Sequence, residues 1–259
     1  MLFRSDPGVV LPGISSDLSH WQAREVLASL GWKWLARGDW AQVYASPDES
    51  QVARVAPFDP AYALHVRTCL AHPHVRFFQR IDWHCDLEPA GQIVVMERLE
   101  APDEDRASRL CCLLGRIKHL EREPGREEVA AWKAERERDP ELVALFEVLA
   151  AAAAEGQRTL GWFGGLDVRP CNLMQDRTGQ QKLIDPYFVA GLKLIPAMLE
   201  DIEAVGKHYS QRELRGFLEI AEFEDERGDP GPVLQQLRER VESLKGKGRP
   251  GECRELGPF

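Results

Sequence analysis

Between residues 166 and 187 the helical character of the second half of the chain is interrupted. Two short β-prone pieces appear, Leu166-Asp-Val-Arg-Pro-Cys-Asn-Leu-Met174 and Lys182-Leu-Ile-Asp-Pro-Tyr187, linked by the turn Asp176-Arg-Thr-Gly179. Such a hairpin is a strong constraint, because period-two segments inside period-3.6 sequence divide the chain into parts that pack differently. It also places two carboxylates and a carboxamide, Asp167, Asn172 and Asp185, on neighbouring segments. Taken singly, such residues most often only close turns. Together they match a chemical need: phosphoryl transfer requires an oxygen acceptor to orient an attacking hydroxyl, and hard oxygen ligands for Mg²⁺ on nucleotide phosphates.

The first hundred residues read differently. Apolar spacing from Ser19 to Leu30 predicts a helix ending at Gly31, and short β-prone runs follow at Trp32–Leu35, Gln42–Ala45 and Gln51–Val55. A helix is expected from Pro60 to Ala71, a further strand-like run around Val75–Trp83, and an apolar strand over Gln92–Met96. After Leu99 helices are expected at Asp103–Glu121, Arg126–Arg138 and Pro140–Glu155, with a glycine-rich break over Gly156–Gly165. Beyond the hairpin, helices are expected at Pro196–His208, Gln211–Asp225 and Pro232–Leu244, then a tail from Gly246 to Phe259.

Composition narrows the class. The chain has 259 residues, 33 Lys+Arg against 42 Asp+Glu, and 44% hydrophobic residues, enough for one large domain or two small lobes. Basic residues are scattered among acids, which argues against nucleic acid as a partner. The most apolar stretch, Leu142–Ala154, is broken by Glu147 and falls short of the roughly 20 residues that cross a bilayer, so it reads as a buried helix. No basic start precedes an apolar run, and the six cysteines form no paired framework, so reduced thiols and a cytoplasmic location are expected. His65 and Cys69 share a helix face, yet with His72, His74, His84 and Cys85 they match no compact zinc spacing. Cys69 and the Cys111-Cys112 pair read as core, the histidines as surface or polar contacts, and Trp21, Trp32, Trp34, Trp40 and Trp83 as packing residues.

The spacing Asp167-x-x-x-x-Asn172 before a strand ending in Asp185 resembles the catalytic loop and metal motif of the protein-kinase-like superfamily. Asp185-Pro186-Tyr187 is similar to the Asp-Pro form of small bacterial and phage members. Upstream, Ala36-Arg-Gly38-Asp-Trp40-Ala-Gln-Val43 resembles a phosphate-covering loop with a single glycine, and Val52-Ala-Arg54-Val55 the strand that carries a phosphate-binding Lys, here Arg. Ile93-Val-Val-Met96-Glu97-Arg98-Leu99 resembles the strand entering a hinge. The resemblance spans about residues 32 to 188.

It implies a two-lobed α+β fold: an extension and helix over 1–31, a small antiparallel β lobe with one helix over 32–98, a mainly helical lobe over 99–245, and a flexible tail over 246–259. It further implies ATP between the lobes and an ATP- and Mg²⁺-dependent transfer of the γ-phosphoryl group to a hydroxyl. Asn172 and Asp185 would hold the metal, Asp167 would orient the acceptor, and Arg169 would neutralise charge on the transferring group. Arg54 would grip phosphate, Gly38, Val43, Val52, Met96 and Met174 would line the nucleotide, and backbone at Glu97 and Leu99 would bond adenine. The acceptor would be a protein Ser/Thr or a small hydroxylated molecule. The alternative is a pseudokinase that senses nucleotide or binds protein, motivated by Arg54, the single glycine, and the absence of any acid between Pro60 and Leu70 to pair with the basic strand residue. The stretch from Asp185 to Pro196 is too short for a phosphorylatable activation loop.

Overall fold

The computed structural model describes residues 11–115, 139–220 and 231–244. The expected helix over Arg126–Arg138, the ends of those over Asp103–Glu121 and Gln211–Asp225, and the tail from Gly246 lie outside these residues.

In chain order the elements are α1 (His20–Ser29), β1 (Lys33–Arg37), β2 (Gln42–Ala45), β3 (Gln51–Ala56), α2 (Pro60–Ala71), β4 (Ile81–Leu87) and β5 (Gly91–Glu97). Then come α3 (Glu104–Gly115), α4 (Pro140–Thr159), β6 (Phe163–Leu166), a 3₁₀ turn (Pro170–Asn172), β7 (Leu173–Gln175), β8 (Gln181–Leu183) and β9 (Tyr187–Val189). The C-terminal helices are α5 (Gly191–Glu200), α6 (Ile202–Val205), α7 (Gln211–Phe217) and α8 (Pro232–Ser243). The architecture is α+β, built around a five-stranded antiparallel sheet. Two compact units are distinguished. One takes the residues up to Asp59, Asp82–Met96 and those from Ala190 on; the other takes Pro60–Ile81 and Glu97–Val189.

In the first unit, α1 begins with a reciprocal cap: the Gln22 amide N–H donates to Ser19 Oγ, and the Ser19 amide N–H donates to Gln22 Oε1 at 2.9 Å. It stops where Gly31 adopts φ +80°, while the Trp32 amide returns to the Leu27 carbonyl at 3.0 Å. The sheet runs β1-β2-β3-β5-β4, with β2 antiparallel to both β1 and β3. Its alternation separates two faces. Tyr44, Ala53, Val55, Ile93 and Val95 join Ala23 and Leu27 of α1, with Trp32 and Leu87, in one apolar core. The strand expected near Val75–Trp83 starts later, at Ile81, and runs to Leu87. Backbone bonds from Val75 to His72 and from Phe78 to Val75 hold the preceding residues in turns.

Several packing expectations are corrected here. Trp32 is buried, but Trp21 and Trp34 are 49% and 61% exposed, Trp21 lying under the Arg24 guanidinium and Trp34 on the edge strand β1. Cys111 is half-buried and Cys112 exposed, whereas His65 is fully buried among Tyr62, Phe78 and Tyr187. The helix expected to begin at Pro196 begins at Gly191 with Pro196 inside it. The bond that Pro196 cannot make falls on the Leu192 carbonyl, at a residue 85% exposed, where water can take its place.

In the second unit α4 continues four residues past its expected end at Glu155, through Gly156. That glycine is a packing residue: a Cβ there would lie 2.6 Å from the Phe163 ring. Helix α2 packs on α4 and β9, and α4 on β6. The expected hairpin is present as the antiparallel β7–β8 ladder, closed by the Asp176–Gly179 turn, and a second small antiparallel ladder pairs β6 with β9. Among the described residues no helix is long and apolar enough to cross a membrane.

Candidate functional site

In the second unit, backbone bonds bring the three sequence-singled residues onto one connected loop system. The Asp167 amide donates to the Pro186 carbonyl at 2.8 Å, so the strand end carrying Asp167 is tied to the segment just past Asp185. The Asn172 side chain donates from Nδ2 to the Asp167 carbonyl at 2.9 Å, and the Ile184 amide donates to the Asn172 carbonyl at 3.0 Å. With Nδ2 engaged, Asn172 presents Oδ1 as its acceptor, which takes a long 3.8 Å contact from the Cys171 thiol. The loop opens at Gly165, whose φ of +93° only glycine adopts readily, beside an irregularity in the β6–β9 register.

Arg169 folds back on Asp167 as a fork, Nε to Oδ1 at 2.7 Å and Nη2 to Oδ2 at 2.5 Å. Its side chain is 64% exposed and that of Asp167 16%. Bidentate pairing holds the carboxylate in one orientation. Met174 sits on β7 opposite Lys182, and Leu99 follows the end of β5; both are half-buried.

In the first unit the register places Val43 opposite Arg54, with Val52 two residues before Arg54 on the same strand, so all three share one face. Met96 alternates with the core residues Ile93 and Val95 and therefore faces the same side as Val94, away from α1. Gly38 sits in the β1–β2 turn, its amide donating to the Ala41 carbonyl at 2.9 Å; its φ lies outside the left-handed region, and a Cβ there would make only an ordinary 3.9 Å contact with the Ala41 carbonyl oxygen.

Sequence reasoning missed the partner of Arg54. Helix α2 carries no acid, as read, but Arg54 Nη2 meets Asp59 Oδ2 at 2.5 Å one residue before that helix, with side chains 11% and 8% exposed. The Ala56–Phe58 backbone reaches this position because two glycines let it pass. A Cβ on Gly91 would lie 2.7 Å from the Ala56 carbonyl oxygen, and one on Gly216 would lie 2.6 Å from that of Pro57. Gln92 adds a 3.1 Å bond to the Asp59 carbonyl, and Phe58 is held among Trp40, Tyr209 and Phe217. An acid directly after the Pro57-Phe58 pair is the local signal that could have pointed to it.

The donor set suits Mg²⁺: an amide oxygen and a carboxylate are hard ligands, and Mg²⁺ is commonly held by one or two carboxylates with phosphates and water completing its shell. Among the described residues no group of three or more His, Cys, Asp or Glu side chains could hold a metal by themselves. The histidines and cysteines weighed for zinc lie on separate elements. His65 and Cys69 touch on α2, His72 and His74 meet edge to face past its end, and His84 and Cys85 lie on β4. Burial pushes the Cys69 thiol and the Tyr187 phenol far above their ordinary values, so neither serves as a nucleophile.

No protein-family model and no curated protein matches the chain. Among solved structures it is similar to an aminoglycoside phosphotransferase from Streptomyces rimosus, with 14% identity over 86% of this chain and 99% of that one, and a TM-score of 0.33.

Proposed function

We propose that the protein is a kinase-like phosphotransferase that moves the γ-phosphoryl group of ATP, with Mg²⁺, to a hydroxyl acceptor. The observation that supports this best is the bonding of Asp167 and Asn172 to each other and to Ile184 and Pro186, the two residues that flank Asp185. Asn172 is oriented by the backbone of the same residue whose carboxylate would receive the acceptor's proton; Ile184, before Asp185, is bonded to Asn172, and Pro186, after it, to Asp167. Mg²⁺, when bound, would supply charge neutralisation on the phosphates, and Asn172 Oδ1 and the Asp185 carboxylate would hold it. Asp167 would orient the acceptor hydroxyl. Arg169, at present forked onto Asp167, would turn its exposed guanidinium to the transferring group. Arg54 is proposed for the earlier phosphates, and the Arg54–Asp59 pair makes a strand cation held by an acid available despite the acid-free helix. That pair weakens one motive for the pseudokinase reading, while Arg54 itself and the single glycine still favour it. The acceptor class, protein Ser/Thr or small molecule, stays open in this proposal, and a cytoplasmic setting is part of it.

The test is phosphoryl release from ATP, as slow hydrolysis or transfer to a panel of hydroxylated acceptors. Asp167→Asn, which keeps the shape and removes the base, is expected to lose about 10²- to 10⁴-fold in turnover with nucleotide affinity kept. Equal turnover in Asp167→Asn would remove Asp167 from the role, and nucleotide binding without any turnover would favour the pseudokinase.

A further inference from the structure

Lys182 lies on β8 with its side chain only 12% exposed, directly opposite Met174 on β7. Its ammonium has three partners: the Phe78 carbonyl at 3.2 Å, Glu97 Oε1 at 3.6 Å and Asp176 Oδ2 at 3.7 Å. Each acid is also held separately. Glu97 Oε1 accepts from the Arg80 amide at 2.8 Å, while the Glu97 amide donates to the Arg80 carbonyl at 3.2 Å. Asp176 Oδ1 accepts from Thr178 Oγ1 at 2.6 Å, the Thr178 amide at 2.9 Å and the Gln180 amide at 3.1 Å. Burial raises the Asp176 pKa, but these bonds and the lysine more than offset it and hold the group ionised.

An apolar side chain would fill this half-dry position without desolvating an ammonium. What the lysine adds is a connection. Three residues after it stands Asp185, and β7, its partner strand, follows directly from Asn172. On the other side, Glu97 opens the segment Glu97–Glu100, whose far end exchanges backbone bonds with Gln175 of β7 at 2.8 and 3.0 Å. That segment is thus fixed to the β7–β8 ladder at both ends, by backbone at Glu100 and by charge at Glu97.

We infer that Lys182 is a positioning residue that sets the register between the segment bonding adenine and the pair holding Mg²⁺. This rests on the proposed nucleotide reading, since one ATP must satisfy both places at once and a small slip at either costs the combination. Its loss should therefore weaken Mg·ATP more than ATP alone.

The experiment is titration of the full-length protein with ATP, with and without Mg²⁺, for wild type, Lys182→Met, Lys182→Arg, Glu97→Gln and Asp185→Ala. Lys182→Met is expected to bind Mg·ATP about tenfold more weakly and to lose most of the Mg²⁺-dependent gain, with Lys182→Arg restoring much of it. The double variant Lys182→Met/Glu97→Gln should be little weaker than Lys182→Met, because both break one connection. A merely structural role would lower affinity with and without Mg²⁺ alike, and that result overturns the inference. So does Mg·ATP binding by Lys182→Met within twofold of wild type while Asp185→Ala loses it, leaving the nucleotide reading intact. Failure of wild type to bind overturns both. Should Lys182→Met not fold, Glu97→Gln decides by the same criterion.

Discussion

The Arg54–Asp59 pair offers a sharp quantitative test, because its geometry fixes what a double-mutant cycle must read. The contact is 2.5 Å between side chains 11% and 8% exposed. With charge centres about 4 Å apart and an effective dielectric near 20, Coulomb attraction is about 4 kcal/mol. Couplings measured between touching groups run about 0.5–3 kcal/mol, so about 2–3 kcal/mol is expected here. Urea unfolding of wild type, Arg54→Met, Asp59→Ala and the double variant gives the coupling directly, and other contacts of either residue cancel in the cycle. Burial also predicts that the coupling survives from 0.1 to 1 M NaCl, whereas the Arg215–Glu242 pair, with side chains 49% and 57% exposed, should fade over that range. A coupling below about 0.5 kcal/mol, or one that vanishes with salt, would refute the claim that Asp59 stands in for the acid missing from α2.

Two further outcomes follow from packing and protonation. Alanine in place of a helical glycine gains about 1 kcal/mol where space is open, so Gly115→Ala should stabilise. At Gly216 the new Cβ meets a backbone oxygen that cannot swing aside, and overpacking of up to about 3 kcal/mol should make Gly216→Ala a net loss of about 2 kcal/mol; equal signs in urea midpoints would contradict this. His20 is fully buried beside Arg24, with Glu219 at 3.5 Å; burial, then the Arg24 charge, pushes its pKa from 6.5 down to about 4. The unfolded chain therefore binds the proton first as pH falls, and stability present above pH 6.5 should drop by about 3 kcal/mol on the way to pH 4. His20→Gln should flatten that part of the profile, and an unchanged profile would place the acid sensitivity elsewhere.

Local patterns made much of the fold legible. Ser19, Gln22 and Gly31 mark both ends of α1, and alternating runs mark β2, β3 and β5 within a residue or two of their observed limits. The proximity of the candidate residues was legible from their spacing on either side of one turn: Asn172 bonds the Asp167 carbonyl, and Ile184 and Pro186, which flank Asp185, bond Asn172 and Asp167. What was not legible depends on distant partners. Gly156 reads as a break until Phe163 is placed against it, and Pro196 reads as a helix start until the exposed Leu192 carbonyl leaves room for it inside one. Asp59 became a partner for Arg54 only through close backbone passage at Gly91 and Gly216, and nothing local to Lys182 shows that Glu97 and Asp176 are brought to its ammonium.

The central claim, that Asn172 and Asp185 hold Mg²⁺ on a bound nucleotide, is tested most directly by thermal unfolding with ATP, with and without Mg²⁺, of wild type and Asp185→Ala. At about 100 times its dissociation constant a ligand stabilises by roughly 2.7 kcal/mol, a rise in midpoint of about 5–10 °C for a chain of this size. The account predicts a rise of that order that requires Mg²⁺ and is lost in Asp185→Ala. No rise at millimolar nucleotide, or the same rise in the variant, would contradict it.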